Sequence, residues 1–152
     1  MGLTRRGKGS KLMLVVENQG IPNGGLVTSA QRAEVKLAEP TLATVRVPRA
    51  RGRPRTQSRE VVADKGYDSD SRRRRMRQRG IKSCIPFRRG RKPRPGRKPD
   101  LSGYQQRWKV ERTYAWLGNY RRLVVRYEWL AHIYLAFVLL AFTLIALRVL
   151  LK

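Results

Sequence analysis

Cysteine and histidine are almost missing from these 152 residues: Cys84 and His132 stand alone. A single cysteine excludes an internal disulfide and any cysteine-based zinc cluster, and a single histidine removes most imidazole ligand sets. Such a chain fits a reducing cytoplasm. Acids are scarce as well, ten Asp and Glu against 35 Lys and Arg, giving a formal charge of +25. A charge of that size repels itself unless an anionic partner or counterions neutralise it, and nucleic acid is the first partner to expect. Between Arg46 and Arg126 lie 27 basic and 6 acidic residues, a surplus of 21, so the electrostatic footprint is local. No export signal is visible either: MGLTRRGKGSK is basic, but Glu17-Asn18 interrupts the apolar run behind it.

What is present reads as alternating strands and helices within one domain of ordinary size. Lys11 to Val16 and Gly25 to Ser29 are β-like runs around Glu17-Asn18-Gln19-Gly20 and Pro22-Asn23-Gly24, a hairpin pattern. Glu34 to Val45 has helical spacing, with Pro40 expected to kink or split it. Arg46 to Arg59 carries proline and arginine without apolar periodicity and reads as a surface connection. Glu60 to Ala63 is a strand, and Asp68-Ser69-Asp70-Ser71 offers caps for a helix that stops at Gly80; Asp68 and Asp70 are assigned that capping role. Ile81 to Phe87 is a further strand, on which Cys84 is an inert buried hydrophobe. The stretch 88–100, rich in arginine, lysine and proline, is a basic arm expected to be mobile. Tyr104 to Leu117 reads as one helix, with Trp108, Val110, Tyr114 and Leu117 on its apolar side. Leu130 to Leu151 is apolar over a length at which a membrane span must be considered. His132, Thr143 and Arg148, with many alanines, favour a core helix instead.

The question such a sequence raises is why so basic a chain keeps three acids in "VVADKGYDSD", Val61 to Asp70. Asp64 lies where a strand ends and the chain turns at Gly66, the sheet edge where α/β active sites collect. A plain turn-capping role is the alternative. Glu111 is placed mid-helix between Lys109 and Arg112, sharing a face with Tyr104 and Arg107. A solvated Arg107-Glu111 pair is the simple explanation of that face. An Asp at a strand end and a Glu on a later helix also suit Mg²⁺, which needs few carboxylates when phosphate and water complete its octahedron.

In order along the chain, "ADKGYDSD", "IPFRRGRK", "YQQRWKVERTYAWLGNYRRL" and "RYEWLAHIYLAFVLLA" resemble the DDE transposases of bacterial insertion sequences. The resemblance implies an RNase H-like α/β fold that uses three carboxylates and two divalent ions, Mg²⁺, for DNA strand cleavage and transfer. Asp64 matches the second acid and Glu111 the third. The resemblance further implies that Tyr104, Arg107, Lys109, Arg112, Arg121 and Arg122 contact DNA. In that family a lysine follows the third acid, and Gly118 occupies its position here, so Arg121 or Arg122 is expected to substitute. No Asp precedes Asp64. The expected fold is therefore an incomplete RNase H-like mixed sheet with flanking helices, its first strand missing, and a long apolar C-terminal helix. Residues 1–152 would form the C-terminal portion of the catalytic domain, inactive alone. An upstream transposase polypeptide or frameshift-fused part would supply the first acid, and the assembly would act as an oligomer on transposon ends and target DNA at the bacterial nucleoid. A non-catalytic basic nucleic-acid binder and a tail-anchored membrane protein, spanning at Leu130 to Leu147, are the competing readings.

Overall fold

The structure is a computed structural model that describes residues 2–4, 7–88 and 98–151. The chain forms two compact units, one made of Met1–Thr56 with Lys109–Lys152 and the other of Gln57–Trp108. Most of the basic arm expected at 88–100 falls on 89–97, outside the described residues.

In the first unit, β1 (Gly2–Thr4), β2 (Gly7–Val16) and β3 (Pro22–Ser29) form an antiparallel sheet in that order. The expected hairpin is present, but β3 starts at Pro22, earlier than its apolar run, and the turn contracts to Glu17–Ile21. Proline tolerates the first position of a strand, where its missing N–H is not needed. Gly20, at φ 91°, takes the left-handed conformation that the tight return requires. From Ser10 to Val16, β2 is paired with β3 alone among the described residues.

Helix α1 (Glu34–Ala43) runs through Pro40 instead of splitting there. Two hydroxyls brace the turn that follows the proline: Thr41 donates to the Leu37 carbonyl at 2.7 Å and Thr44 to the Thr41 carbonyl at 2.7 Å. The rest of this unit comprises α3 from Lys109 onward (the helix is Trp108–Leu117), α4 (Arg121–Val124) and α5 (Ala131–Leu150). Helix α5 buries Tyr134, Val138, Ala141, Phe142 and Ile145, which recur at helical spacing, together with Leu117. Leu12, Leu14 and Val27 pack on that cluster from the sheet. Gly25 admits the Phe142 ring: a Cβ there would meet two ring carbons at 3.0 Å.

The helix α5 is long and apolar enough to cross a membrane. One face does what the sequence suggests for a core helix. The opposite face, with Leu139, Leu140, Leu144, Leu147 and Leu150, is exposed. Ahead of α5, Arg126 fastens the turn by donating to the carbonyls of Glu128 (2.8 Å) and Trp129 (2.9 Å) and to the Ser10 hydroxyl. Its guanidinium lies 5.4 Å from the Tyr134 ring centre.

The second unit is a strand, helix, strand arrangement. Strand β4 (Glu60–Val62) pairs in parallel with β5 (Lys82–Cys84), and between them come a 3-10 turn (Lys65–Tyr67) and α2 (Asp70–Gln78). Gly80, at φ 67°, stops α2 as the sequence predicts, and the Ile81 N–H returns to the Met76 carbonyl at 2.8 Å. Met76, Ile81, Cys84 and Ile85 are its buried apolar residues. Cys84 is fully buried, and burial pushes its thiol pKa up, the inert state expected of it. Among the described residues β4 pairs with β5 alone. The protein is thus of mixed α/β class, with its strands in two small sheets.

Candidate functional site

Asp64 follows β4 directly, at the carboxyl end of that strand. It caps the 3-10 turn, since its Oδ1 accepts the Lys65 backbone N–H at 2.7 Å. The turn-capping alternative is therefore realised, and it does not exhaust the side chain. Oδ1 also accepts the Tyr104 hydroxyl at 3.3 Å, while Oδ2 has no partner among the described residues and the residue is exposed. Both donors are neutral.

The neighbouring acids are engaged differently. Asp68 does not cap α2: it pairs with Arg73 Nε at 2.9 Å and accepts the Arg88 N–H at 3.1 Å. Ser69 occupies the N-cap, and Asp70 begins the helix, where a negative charge suits the helix dipole. Arg73 also donates to the Ile85 carbonyl at 2.6 Å and lies over Phe87, and the buried Arg72 bonds the Tyr67 carbonyl. Two arginines of α2 therefore shape the loop that carries Asp64. Arg74, Arg77 and Arg79 are exposed, and their side chains hold no hydrogen bond or ion pair among the described residues.

The single helix expected from Tyr104 to Leu117 is instead a 3-10 turn, Tyr104–Arg107, followed by α3. Tyr104 and Arg107 thus belong to the second unit with Asp64, and Glu111 to the first. Glu111 is exposed in the first turn of α3. The side of α3 that packs agrees with the apolar one anticipated only at Leu117. Thr113 and Leu117 are buried, whereas Trp108 is 49% and Tyr114 39% exposed. Thr113 belongs inside because its hydroxyl is satisfied there, donating to the Gly20 carbonyl at 2.8 Å and contacting the Lys109 carbonyl at 2.9 Å.

The basic residues assigned to DNA divide by how the fold uses them. Lys109 reaches Asn18 Oδ1 at 3.0 Å; Arg112 donates to the Gln19 carbonyl at 2.6 Å and lies over Trp116. Both fasten α3 to the turn between β2 and β3. Arg122 pairs with the buried Glu128 at 2.9 Å and stacks against Tyr127 and Phe137. Arg121 is exposed and has no such partner among the described residues.

A further cluster, not anticipated, sits in the second unit. Lys82 Nζ bridges Glu60 Oε1 at 3.3 Å and Asp100 Oδ2 at 2.9 Å. The hydrogen bond to Lys82 holds the Asp100 carboxyl far below the usual carboxylate range, and the same bond raises the Lys82 pKa. Its only sequence signal is an isolated acid just after a basic run.

The donor chemistry at Asp64 suits a hard divalent cation, because one carboxylate oxygen is fixed by neutral donors and the other is open. Among the described residues no group of three or more His, Cys, Asp or Glu side chains gathers as a ready-made metal site.

The family described as "Transposase DDE domain" matches residues 4–146. A protein of Burkholderia cepacia described as "Putative transposase for insertion sequence element IS402" is 39% identical over 127 residues, which is 83% of this chain. The chain spans 57% of that relative's length. No solved structure gives a significant match. With a family match over nearly its whole length, the chain belongs to the DDE transposases.

Proposed function

We propose that this chain takes part in DNA transposition, contributing two of the three carboxylates that cleave and join DNA at the ends of an insertion sequence. Asp64 and Glu111 are those two, and they would hold Mg²⁺. The bound ion would supply Lewis-acid activation of an attacking oxygen and offset charge building on the phosphate. The chain's own contribution is to aim and to hold. Asp64 presents Oδ2 while Oδ1 is fixed by Lys65 and Tyr104. Exposed Arg74, Arg77, Arg79 and Arg121 bind backbone phosphates without reading sequence. The observation that carries this reading is Asp64 itself, an exposed carboxylate bonded only to neutral donors in a chain of charge +25.

No Asp precedes Asp64 in this sequence, and in this reading an upstream transposase polypeptide supplies the first carboxylate. Among the described residues one edge of β2, from Ser10 to Val16, and one edge of β4 have no partner strand, which supports this, since open strand edges are places where a further strand of an RNase H-like sheet adds. The site of action is nucleoid DNA in a bacterial cytoplasm, with an oligomer assembled on the transposon ends. A membrane span is disfavoured because one face of α5 packs on the β2–β3 sheet.

The test is Mg²⁺-dependent nicking of end DNA by the chain supplemented with the upstream polypeptide. Asp64→Asn and Glu111→Gln are expected to abolish nicking and to leave DNA binding in place. Variants that nick at the wild-type rate would leave only a basic DNA binder, and efficient cleavage by the 152-residue chain alone would refute the need for a further carboxylate.

A further inference from the structure

The Lys82 cluster has no role in the reaction proposed above, and its energetics do not explain its presence. Its side chains are 33% to 54% exposed, and ion pairs so exposed to water add little to stability. What the cluster does have is a position. Glu60 opens β4 and Lys82 opens β5, whereas Asp100 lies beyond both strands. Lys82 therefore pins the segment that begins at Asp100 onto the parallel strand pair.

That segment is built to transmit the attachment. Asp100 Oδ1 accepts the Ser102 N–H at 2.9 Å, the Tyr104 N–H returns to the Leu101 carbonyl at 2.9 Å, and the Gln106 N–H to the Gly103 carbonyl at 3.0 Å. Gly103 lies against β4, where a Cβ would stand 3.4 Å from Glu60 Oε2 and 3.5 Å from a Val62 methyl. One residue later, the Tyr104 hydroxyl meets Asp64 Oδ1.

We infer that Glu60, Lys82 and Asp100 form an ionic clip that mounts Tyr104 as a positioning residue for Asp64, so that Oδ2 alone is offered to a divalent cation. The inference rests on the reading of Asp64 as a cation ligand. An exposed aspartate left to itself samples several side-chain rotations, and each must be lost when it binds an ion. Two donors on Oδ1 remove that freedom beforehand. Partners that orient a ligand in this way change metal affinity by about 10- to 100-fold when removed. Neutral donors are also required, since a lysine or arginine at position 104 would compete with the cation for the same carboxylate.

The experiment is Mn²⁺ binding to the full chain with duplex DNA present, read from the loss of the free-ion electron paramagnetic resonance signal. Asp64→Asn defines binding at this site by abolishing it. Tyr104→Phe is expected to weaken the same binding about 10- to 100-fold. Lys82→Met should weaken it in the same direction by less, Lys82→Arg should restore it, and thermal midpoints should stay near wild type throughout. Wild-type Mn²⁺ affinity in Tyr104→Phe, with binding abolished in Asp64→Asn, would overturn the inference and leave Asp64 as a ligand. Undiminished binding in Asp64→Asn, or none in the wild-type chain, would overturn the underlying reading and the inference with it.

Discussion

Replacing Arg74, Arg77 and Arg79 together by alanine tests whether the second unit grips DNA through α2. The three are exposed and hold no partner among the described residues, while Arg72 and Arg73 of the same helix are tied to Tyr67, Asp68 and Ile85. Each side chain that neutralises a phosphate adds about 0.9 to the slope of log affinity against log salt, so removing three should lower that slope by about 2.7. Between about 50 and 200 mM salt, the wild-type chain would then lose about 40-fold more affinity than the variant. The fold should survive. Arg74 and Arg77 lie one turn apart, like charges at that spacing cost a few tenths of a kcal/mol, and alanine is the better helix former. The assay is fluorescence anisotropy of a labelled duplex across a salt series, with Arg49, Arg51 and Arg53 replaced in a charge-matched control. An unchanged slope, or an equal drop in the control, would refute the assignment to α2 and show that net charge alone governs binding.

Other expectations concern the scaffold and the clip. Phe142→Ala should cost about 3–5 kcal/mol by opening a cavity beneath β3, read as a shift in urea midpoint. Gly25→Ala, which forces the ring to move, should cost about 1–3 kcal/mol and be partly relieved by Phe142→Leu in a double-mutant cycle. Thr113→Val should cost about 1–3 kcal/mol, because it strands the buried Gly20 carbonyl, and Thr113→Ser should be tolerated. Carbon NMR of the Asp100 carboxyl should show titration below the ordinary 3.8, a depression reduced in Lys82→Met, where the bonds from Ser102 remain. The sign follows: the contribution of Asp100 is fully present above pH 3.8 and disappears only as pH falls through the depressed value. That of Lys82, whose pKa is raised, is fully present below pH 10.5 and disappears as pH climbs beyond it.

The parts of the fold that were legible in the sequence are those written in adjacent residues. Short apolar runs mark β2 and β3, Gly80 ends α2, and the apolar repeat announces α5. The misreadings share a cause. Thr113 was passed over because a threonine scores as polar, yet its hydroxyl finds Gly20 93 residues away and the pair belongs in the core. Nothing near Arg126 in the sequence marks it as a fastener, since its contact is with Ser10, 116 residues distant. Lys82 and Asp100, paired at 2.9 Å, lie 18 positions apart with no periodic pattern joining them. A side chain's tertiary partner is invisible to periodicity, and polar residues are the ones whose burial depends on having a partner. Asp64 and Tyr104 were both singled out from the sequence, but the hydrogen bond between them, across 40 residues, belongs to the fold alone.

The acids answer the question that the basic composition raises. Several are held in ion pairs among the described residues: Glu34 by Lys11, Glu60 and Asp100 by Lys82, Asp68 by Arg73, and Glu128 by Arg122. With 35 cations on the chain, that is the fate Coulomb attraction prescribes for a carboxylate. Asp64 escapes it, although α2 with its arginines begins only six residues later. Arg72 and Arg73, the nearest of them, are turned toward Tyr67, Asp68 and Ile85. Asp68 is thus an ion-pair partner of Arg73 and not the cap that its place before α2 suggests. With only a backbone amide and a phenol as donors among the described residues, the Asp64 carboxylate keeps its charge available for a cation from outside.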